Sequence, residues 1–288
     1  MRPTGLDLYD AAASAGAGTV IRRYSTSFGL ASRLLSRRIR PRIADLYALV
    51  RVADEIVDGP AEQAGLDPLQ RRVELDELER RTERGLETGF SGDLIVHAFA
   101  RTAREHGIGI DLTRPFFASM RTDLHRREFS PEQARDYVYG SAEVIGLMCL
   151  RVFEAGRRRT AEQERILADG ARALGRAFQR VNFLRDWAAD TGQLHRLYLP
   201  EAAAGLDGPA RDAVVASIRE DLAEADAAIP LLDPGARPAV QAARDLFGEL
   251  TDRLARTDPQ RLRRDRIRVP GPRKAALLVR AATERNRA

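Results

Sequence analysis

Apolar positions recur every three to four residues through nearly the whole chain, and no stretch sustains the two-residue alternation of a half-buried strand. Alanine, leucine, arginine and glutamate dominate, residues that lose little freedom on entering a helix. The pattern predicts a helix or helix pair over 7–36, broken near 24–28. A helix over 41–58 follows, with Ile43, Leu46, Tyr47, Val50, Ile56 and Val57 on its apolar side and Gly59–Pro60 as its stop. Segment 67–87 reads as a solvated helix, 90–93 as a turn, and 93–106 and 111–127 as helices separated by a glycine-rich break. Ser130 caps a helix over 131–153 that opens on proline. A long helix over 161–190 buries Ile166, Leu167, Ala173, Leu174, Ala177, Val181 and Leu184, and a loop starts at Gly192. Helices resume over 209–227 and 236–256, and a proline-interrupted turn with a last helix fills 267–285. Connections are short, there is no internal repeat, and residues 1–288 read as one all-α domain.

Composition narrows the classes. No run of about 18 apolar residues is present to span a membrane, and the N-terminus lacks the apolar centre of a signal peptide. Cys149 is the only cysteine, so an internal disulfide is excluded and a reducing cytoplasm is the expected compartment. With four histidines scattered along the chain, a zinc site is disfavoured. The net charge of +5 is almost wholly arginine, Lys274 being the only lysine. Compositional bias of a GC-rich genome explains this, as does attraction to anionic ligands or to an anionic membrane surface, with at most peripheral contact. No aromatic-interleaved basic motif suggests nucleic acid.

The candidate chemistry lies in two aspartate pairs, Asp54 with Asp58 and Asp186 with Asp190. Residues four apart share a helix face, so each pair is a like-charge patch inside an otherwise apolar stretch. A divalent cation removes that penalty, and Mg²⁺ favours a couple of carboxylates plus phosphate oxygens. Tyr47, Arg51 and Asp54 or Glu55 line up with Asp58; Gln179 and Asn182 line up with Asp186 and Asp190, with Arg185 alongside. One such row alone is usually a solvated face with arginine partners. Two rows, with amides and phosphate-binding arginines in register, point to metal ions holding a diphosphate. Tyr24, Ser25, Thr26, Ser27 and Phe28 form a hydroxyl-rich cluster that reads either as a turn or as donors to phosphate. The small residues of 137–148 read as close helix packing, as room for a hydrocarbon chain, or as both.

These motifs resemble the squalene/phytoene synthase family, the head-to-head prenyl synthases, over about residues 20–280. Bacterial phytoene synthases carry Y-S-T-S-F, Y-x-x-V-R-x-A-D-E-I-V-D, Y-x-Y-G-S-A-E-V-x-G-L-M-C-L-x-V-F and V-N-F-L-R-D; here these stand at 24–28, 47–58, 137–153 and 181–186. The resemblance implies an isoprenoid-synthase helical bundle around a central cavity. It implies that Asp54, Asp58, Asp186, Asp190 and Asn182 hold Mg²⁺ and the diphosphates. Tyr24, Ser25, Ser27, Tyr47, Arg51, Arg185 and Arg196 would bind diphosphate, Gln179 would line the cavity, and Tyr198, in R-x-Y-x-P, would close over the site. Ala189 departs from the acidic residue usual before Asp190, Trp187 from an aliphatic residue, His195 from glycine, and Leu246 or Phe247 from a diphosphate-binding tyrosine. Those departures are drift, or mark a second site reshaped for another acceptor.

Three reactions are implied. The first joins two geranylgeranyl diphosphates to phytoene. The second moves a short prenyl group, such as dimethylallyl, to an aromatic acceptor such as a carbazole, stacked on Trp187. The third is squalene or dehydrosqualene synthesis; squalene needs NADPH, for which no G-x-G-x-x-G fingerprint is present. Phe28, Leu147, Leu150, Phe178 and Trp187 are the candidates for the cavity floor. The reading from a different class is a non-catalytic arginine-rich helical binding protein, whose aspartate rows are salt-bridge surfaces.

Overall fold

The computed structural model describes residues 3–25, 27–192 and 194–285. Thr26 lies outside the described residues, as do the side chains of Ser27 and Phe28. The elements are α1 (Gly5–Tyr24), α2 (Ser27–Ala31), α3 (Ile39–Val57), α4 (Pro60–Gln63), α5 (Pro68–Thr88), α6 (Leu94–His106), α7 (Ile110–Asp123) and α8 (Pro131–Val138). A π-turn (Tyr139–Glu143) then leads into α9 (Val144–Phe153), followed by α10 (Ala161–Arg185), α11 (Trp187–Gly192), α12 (Gly208–Ala228), α13 (Arg237–Arg256), α14 (Pro259–Leu262) and α15 (Gly271–Arg285). No strand occurs among the described residues, only an isolated bridge between Glu128 and Leu197. No helix among them is long and apolar enough to cross a membrane.

Helix starts follow local chemistry. Ser130 caps α8 and Thr160 caps α10, each in a reciprocal box with the glutamine three residues on. Three ends differ from the sequence pattern. The helix expected over 111–127 stops at Asp123, and that over 161–190 breaks at Asp186 before α11 continues to Gly192. The helix expected over 131–153 is interrupted by the π-turn. There α7 approaches so closely that a Cβ on Gly140 would stand 2.2 Å from the Pro115 carbonyl oxygen. Ser119 donates to the Tyr137 carbonyl at 3.1 Å in the same place.

Two large apolar clusters build the interior. One gathers Ile43, Leu49, Phe99, Phe116 and Met148; the other gathers Val181, Leu184, Leu206, Ile218 and Leu254. Small residues bring their helices together. A Cβ on Gly146 would meet the Ala171 oxygen at 2.3 Å, and one on Gly175 the Ala142 oxygen at 2.6 Å. The small-residue stretch therefore packs helices closely, while Ser141, Ala142, Ile145 and Gly146 also line the cavity described below. Both readings hold.

Asp45 is a buried carboxyl outside that cavity. Thr102 donates to its Oδ2 at 2.7 Å, and its Oδ1 has no hydrogen-bond partner. Burial pushes its pKa up to about 6. The folded state thus holds this proton more tightly than the unfolded chain, so stability is full below the ordinary carboxylate value and is lost as pH rises through about 6. Melting curves of Asp45→Asn are expected to show a shallower fall of Tm than the wild type between about pH 4 and pH 8. Equal slopes would contradict this.

Candidate active site

Both aspartate rows stand where helices end. The Asp58 amide donates to the Asp54 carbonyl at 2.7 Å and closes α3; the Asp186 amide donates to the Asn182 carbonyl at 2.8 Å and closes α10. The carboxyl end of a helix carries about half a negative charge, so carboxylates there are disfavoured beyond their mutual repulsion. The second row is not one continuous helix, yet Asp190 keeps its position because its amide donates to the Asp186 carbonyl at 3.0 Å.

The rows open on a cavity of about 660 Å³. Tyr24, Ser25, Tyr47, Arg51, Asp54, Asp58, Gln179, Asn182, Arg185, Asp186, Asp190 and Tyr198 line it. Its α10 wall runs from Asp186 back to Leu167, about 28 Å at 1.5 Å per residue. Leu150, Phe153, Leu167, Ile229 and Leu232 make the far part apolar.

Arginines neutralise only part of the acid. Arg196 donates to Asp58 at 2.6 Å, and Arg266 pairs with Asp186 at 2.7 Å. Arg185 Nε donates to Asp186 at 2.9 Å. Arg51 pairs with Glu55 and lies over the Tyr24 ring at 4.7 Å. Asp54 and Asp190 have no ion-pair partner among the described residues. Burial, then the neighbouring Asp58, pushes Asp54 up to about 7. Burial, then Asp186 and Asp58, does the same to Asp190, also to about 7, so the two rows feel each other. No group of three or more histidine, cysteine or acidic side chains converges on one point among the described residues. The donor set is carboxylate pairs facing open space, which suits a hard cation that keeps phosphate or water ligands.

Two expected site residues lie outside the cavity lining. Trp187 is 7% exposed and belongs to the apolar cluster with Leu184 and Leu199. Trp187 opens α11 just past the break at Asp186, and its side chain is buried in that cluster. Arg196 is 4% exposed, lies outside the cavity lining and is committed to Asp58 and Tyr198 instead of reaching open space. His195 before it holds φ 52°, a conformation glycine adopts freely, which accounts for the glycine usual there. Of the floor candidates, Leu150 and Phe178 line the cavity; Leu147 and Trp187 do not. Phe178 stacks on Phe247 at 3.8 Å, and both face the cavity.

Sequence reasoning missed two charged residues. Asp123 is 3% exposed and accepts from Tyr137 at 2.6 Å and from Tyr198 at 2.7 Å. Its signal was its place at the end of a buried stripe through Leu112, Phe116 and Met120. Arg266 follows α14 in a basic segment with no periodicity to mark it.

The family model for squalene/phytoene synthase matches residues 21–273. The chain belongs to the squalene/phytoene synthase family. Members of this family transfer prenyl groups, and the chain is a transferase of that class. It is 30% identical to phytoene synthase 3 of Zea mays over 98% of its own length and 68% of that protein's. It is 32% identical to phytoene synthase 1 of Zea mays over 66% of its length and 45% of that protein's, so it spans less than half of this relative. Its fold is that of a dehydrosqualene synthase crystallised with a ligand, at 21% identity and a TM-score of 0.73, covering 97% of this chain and 98% of that one. Squalene synthase HpnC from Alicyclobacillus acidocaldarius has the same fold, with 19% identity, a TM-score of 0.71 and coverage of 86% and 95%.

Proposed function

We propose that this squalene/phytoene synthase family member is a Mg²⁺-dependent enzyme that joins two geranylgeranyl diphosphates head to head, forming phytoene, two pyrophosphates and two protons. The observation that carries the reading is the pair Asp54 and Asp190, carboxylates with no salt bridge among the described residues, on two acidic rows at the mouth of one cavity. Asp54, Asp58, Asn182, Asp186 and Asp190 would hold the metal. When bound, Mg²⁺ supplies positive charge against the departing pyrophosphate.

The chain's own residues do the rest. Arg51, Arg185 and Arg266 stand beside the acidic rows and can exchange carboxylate for diphosphate oxygens. Ser25, a hydrogen-bond partner of Tyr47, offers a further hydroxyl at the same end of the cavity. The apolar wall shields the allyl cation from water while the first carbon of one chain adds to the double bond of the other. A proton lost to pyrophosphate closes a cyclopropane; departure of the second pyrophosphate opens it to a cation, and loss of a second proton from that cation gives the final hydrocarbon. Arg266→Ala is expected to raise KM for the diphosphate about tenfold with little change in Tm, since the Arg266–Asp186 pair is largely exposed on the arginine side. Steady-state kinetics with a melting curve check both parts.

The reading as an aromatic prenyltransferase loses Trp187 as its platform and retains one support, the Phe178–Phe247 stack in the cavity. Mass spectrometry separates the alternatives. Purified protein with Mg²⁺ receives dimethylallyl, farnesyl or geranylgeranyl diphosphate, each with and without aromatic acceptors. A C40 hydrocarbon from geranylgeranyl diphosphate alone supports the proposal. A prenylated aromatic and no hydrocarbon would replace it.

A further inference from the structure

Positive charge is unevenly spread along the chain. Residues 32–42 hold five arginines and no acid, and 157–159 are three arginines in a row. The fold brings these two segments to one place. Arg38 and Arg157 both reach Asp233 Oδ2, at 3.7 and 3.1 Å, and the Ser36 amide donates to the Gly235 carbonyl at 2.8 Å. Arg37, Arg38, Arg157 and Arg158 are exposed there, and Arg37 and Arg158 form no ion pair among the described residues.

This face lies directly behind the apolar end of the cavity. Leu35, Phe153 and Leu232 line the cavity. The next residue of each segment, Ser36, Glu154 or Asp233, belongs to the seam beneath the arginines. Polar contacts hold that seam. Glu154 accepts from the Asp233 amide at 2.8 Å and from Arg159 Nε at 2.7 Å, and Arg159 also donates to the Leu231 carbonyl at 2.5 Å. The acidic rows stand at the other end of α10, so the cavity has a diphosphate end and a hydrocarbon end, and the arginine face marks the second.

We propose that this arginine face seats on an anionic lipid bilayer and that the hydrocarbon leaves the cavity there, through its apolar end, instead of past the acidic rows. The exit rests on the reading of the cavity as a prenyl-coupling site; the docking does not. Arginines near an anionic bilayer are attracted to it within about a Debye length. A long hydrocarbon released into water would expose its whole apolar surface. A bilayer meets the charge of the face and also takes up the product, which no other polyanion does.

The probe is vesicles of phosphatidylcholine with about 30% phosphatidylglycerol, an anionic surface of the kind that basic clusters bind. The wild type should sediment with them at low salt, come off as NaCl rises, and ignore vesicles of phosphatidylcholine alone. Arg37→Gln with Arg158→Gln should weaken the partition about 30-fold, since each arginine near the surface contributes. Arg256→Gln with Arg264→Gln removes the same charge from the far end of α13, about 28 Å from Arg237, and should stay within about threefold of wild type. With geranylgeranyl diphosphate and Mg²⁺, the anionic vesicles should raise multiple turnover of the wild type roughly fivefold and leave the Arg37/Arg158 variant unmoved, release being the slow step. Pyrophosphate from a single turnover with enzyme in excess should not respond to vesicles in either protein. Absent vesicle binding, an equal loss in the two double variants, or capture of an RNA oligonucleotide without vesicles overturns the docking. Binding without faster multiple turnover overturns the exit. A wild type that binds vesicles but releases no pyrophosphate from any allylic diphosphate overturns the prenyl-coupling reading and the exit, and leaves the docking standing.

Discussion

Asp54→Asn is expected to lower turnover of an allylic diphosphate on the order of 1000-fold and, at alkaline pH, to make the metal-free protein more stable. The two effects have one cause. Asp54 sits at the carboxyl end of α3, four residues before Asp58, and burial with that neighbour lifts its pKa to about 7. Because the folded value lies above the ordinary one, its stabilising contribution is complete at acid pH and disappears as pH rises through about 7. The asparagine carries no such penalty. Its Tm should exceed that of the wild type by about 5 °C near pH 8.5 and converge with it near pH 4. Adding Mg²⁺ with pyrophosphate should reverse the order, since the wild type then gains ligand-binding energy that the variant has lost. Thermal shift with and without those ions checks the whole pattern. A variant that keeps activity, or gains no stability at high pH, would count against a site built on charge held for a ligand.

Gly140→Ala should be the most damaging single-methyl change in the chain's interior. The added Cβ would stand 2.2 Å from the Pro115 carbonyl oxygen and 2.2 Å from the Ser119 hydroxyl. The first of these is backbone and cannot swing aside. The π-turn exists where α7 comes this near, so relief requires moving α7 against α8 and α9. Overpacking of this kind costs roughly 1–3 kcal/mol or more. In a chain of this size that corresponds to a Tm loss of about 2–5 °C or more. Activity should fall as well, because α7 ends in Asp123 and α8 carries Tyr137. Gly92→Ala is the matched control: nothing lies within 4 Å of its Cβ position, and its Tm should not move.

The all-α architecture and the acidic rows were legible because both are local. A 3.6-residue period and a four-residue spacing need no knowledge of what lies across the fold. Ser130 could likewise be named as a cap, since its partner Gln133 is three residues away. The π-turn at Tyr139 was not legible, because the residues of α7 that stand against Gly140 come from elsewhere in the chain. Trp187 adjoins Asp186 in sequence, yet the fold packs it into the apolar core, which its neighbours in sequence do not reveal. Asp123 was missed because its partner Tyr198 stands 75 residues away, and only the fold brings them together. Arg266 was missed for the same reason, reaching Asp186 across 80 residues.

The most direct test measures pyrophosphate and hydrocarbon released by the purified protein from geranylgeranyl diphosphate alone, with Mg²⁺, after chelation, and after Mg²⁺ is restored. Two pyrophosphates are expected for each C40 hydrocarbon, with loss of both products on chelation and recovery of both with the metal. A folded protein that releases no pyrophosphate from this or any shorter allylic diphosphate would contradict the proposed reaction.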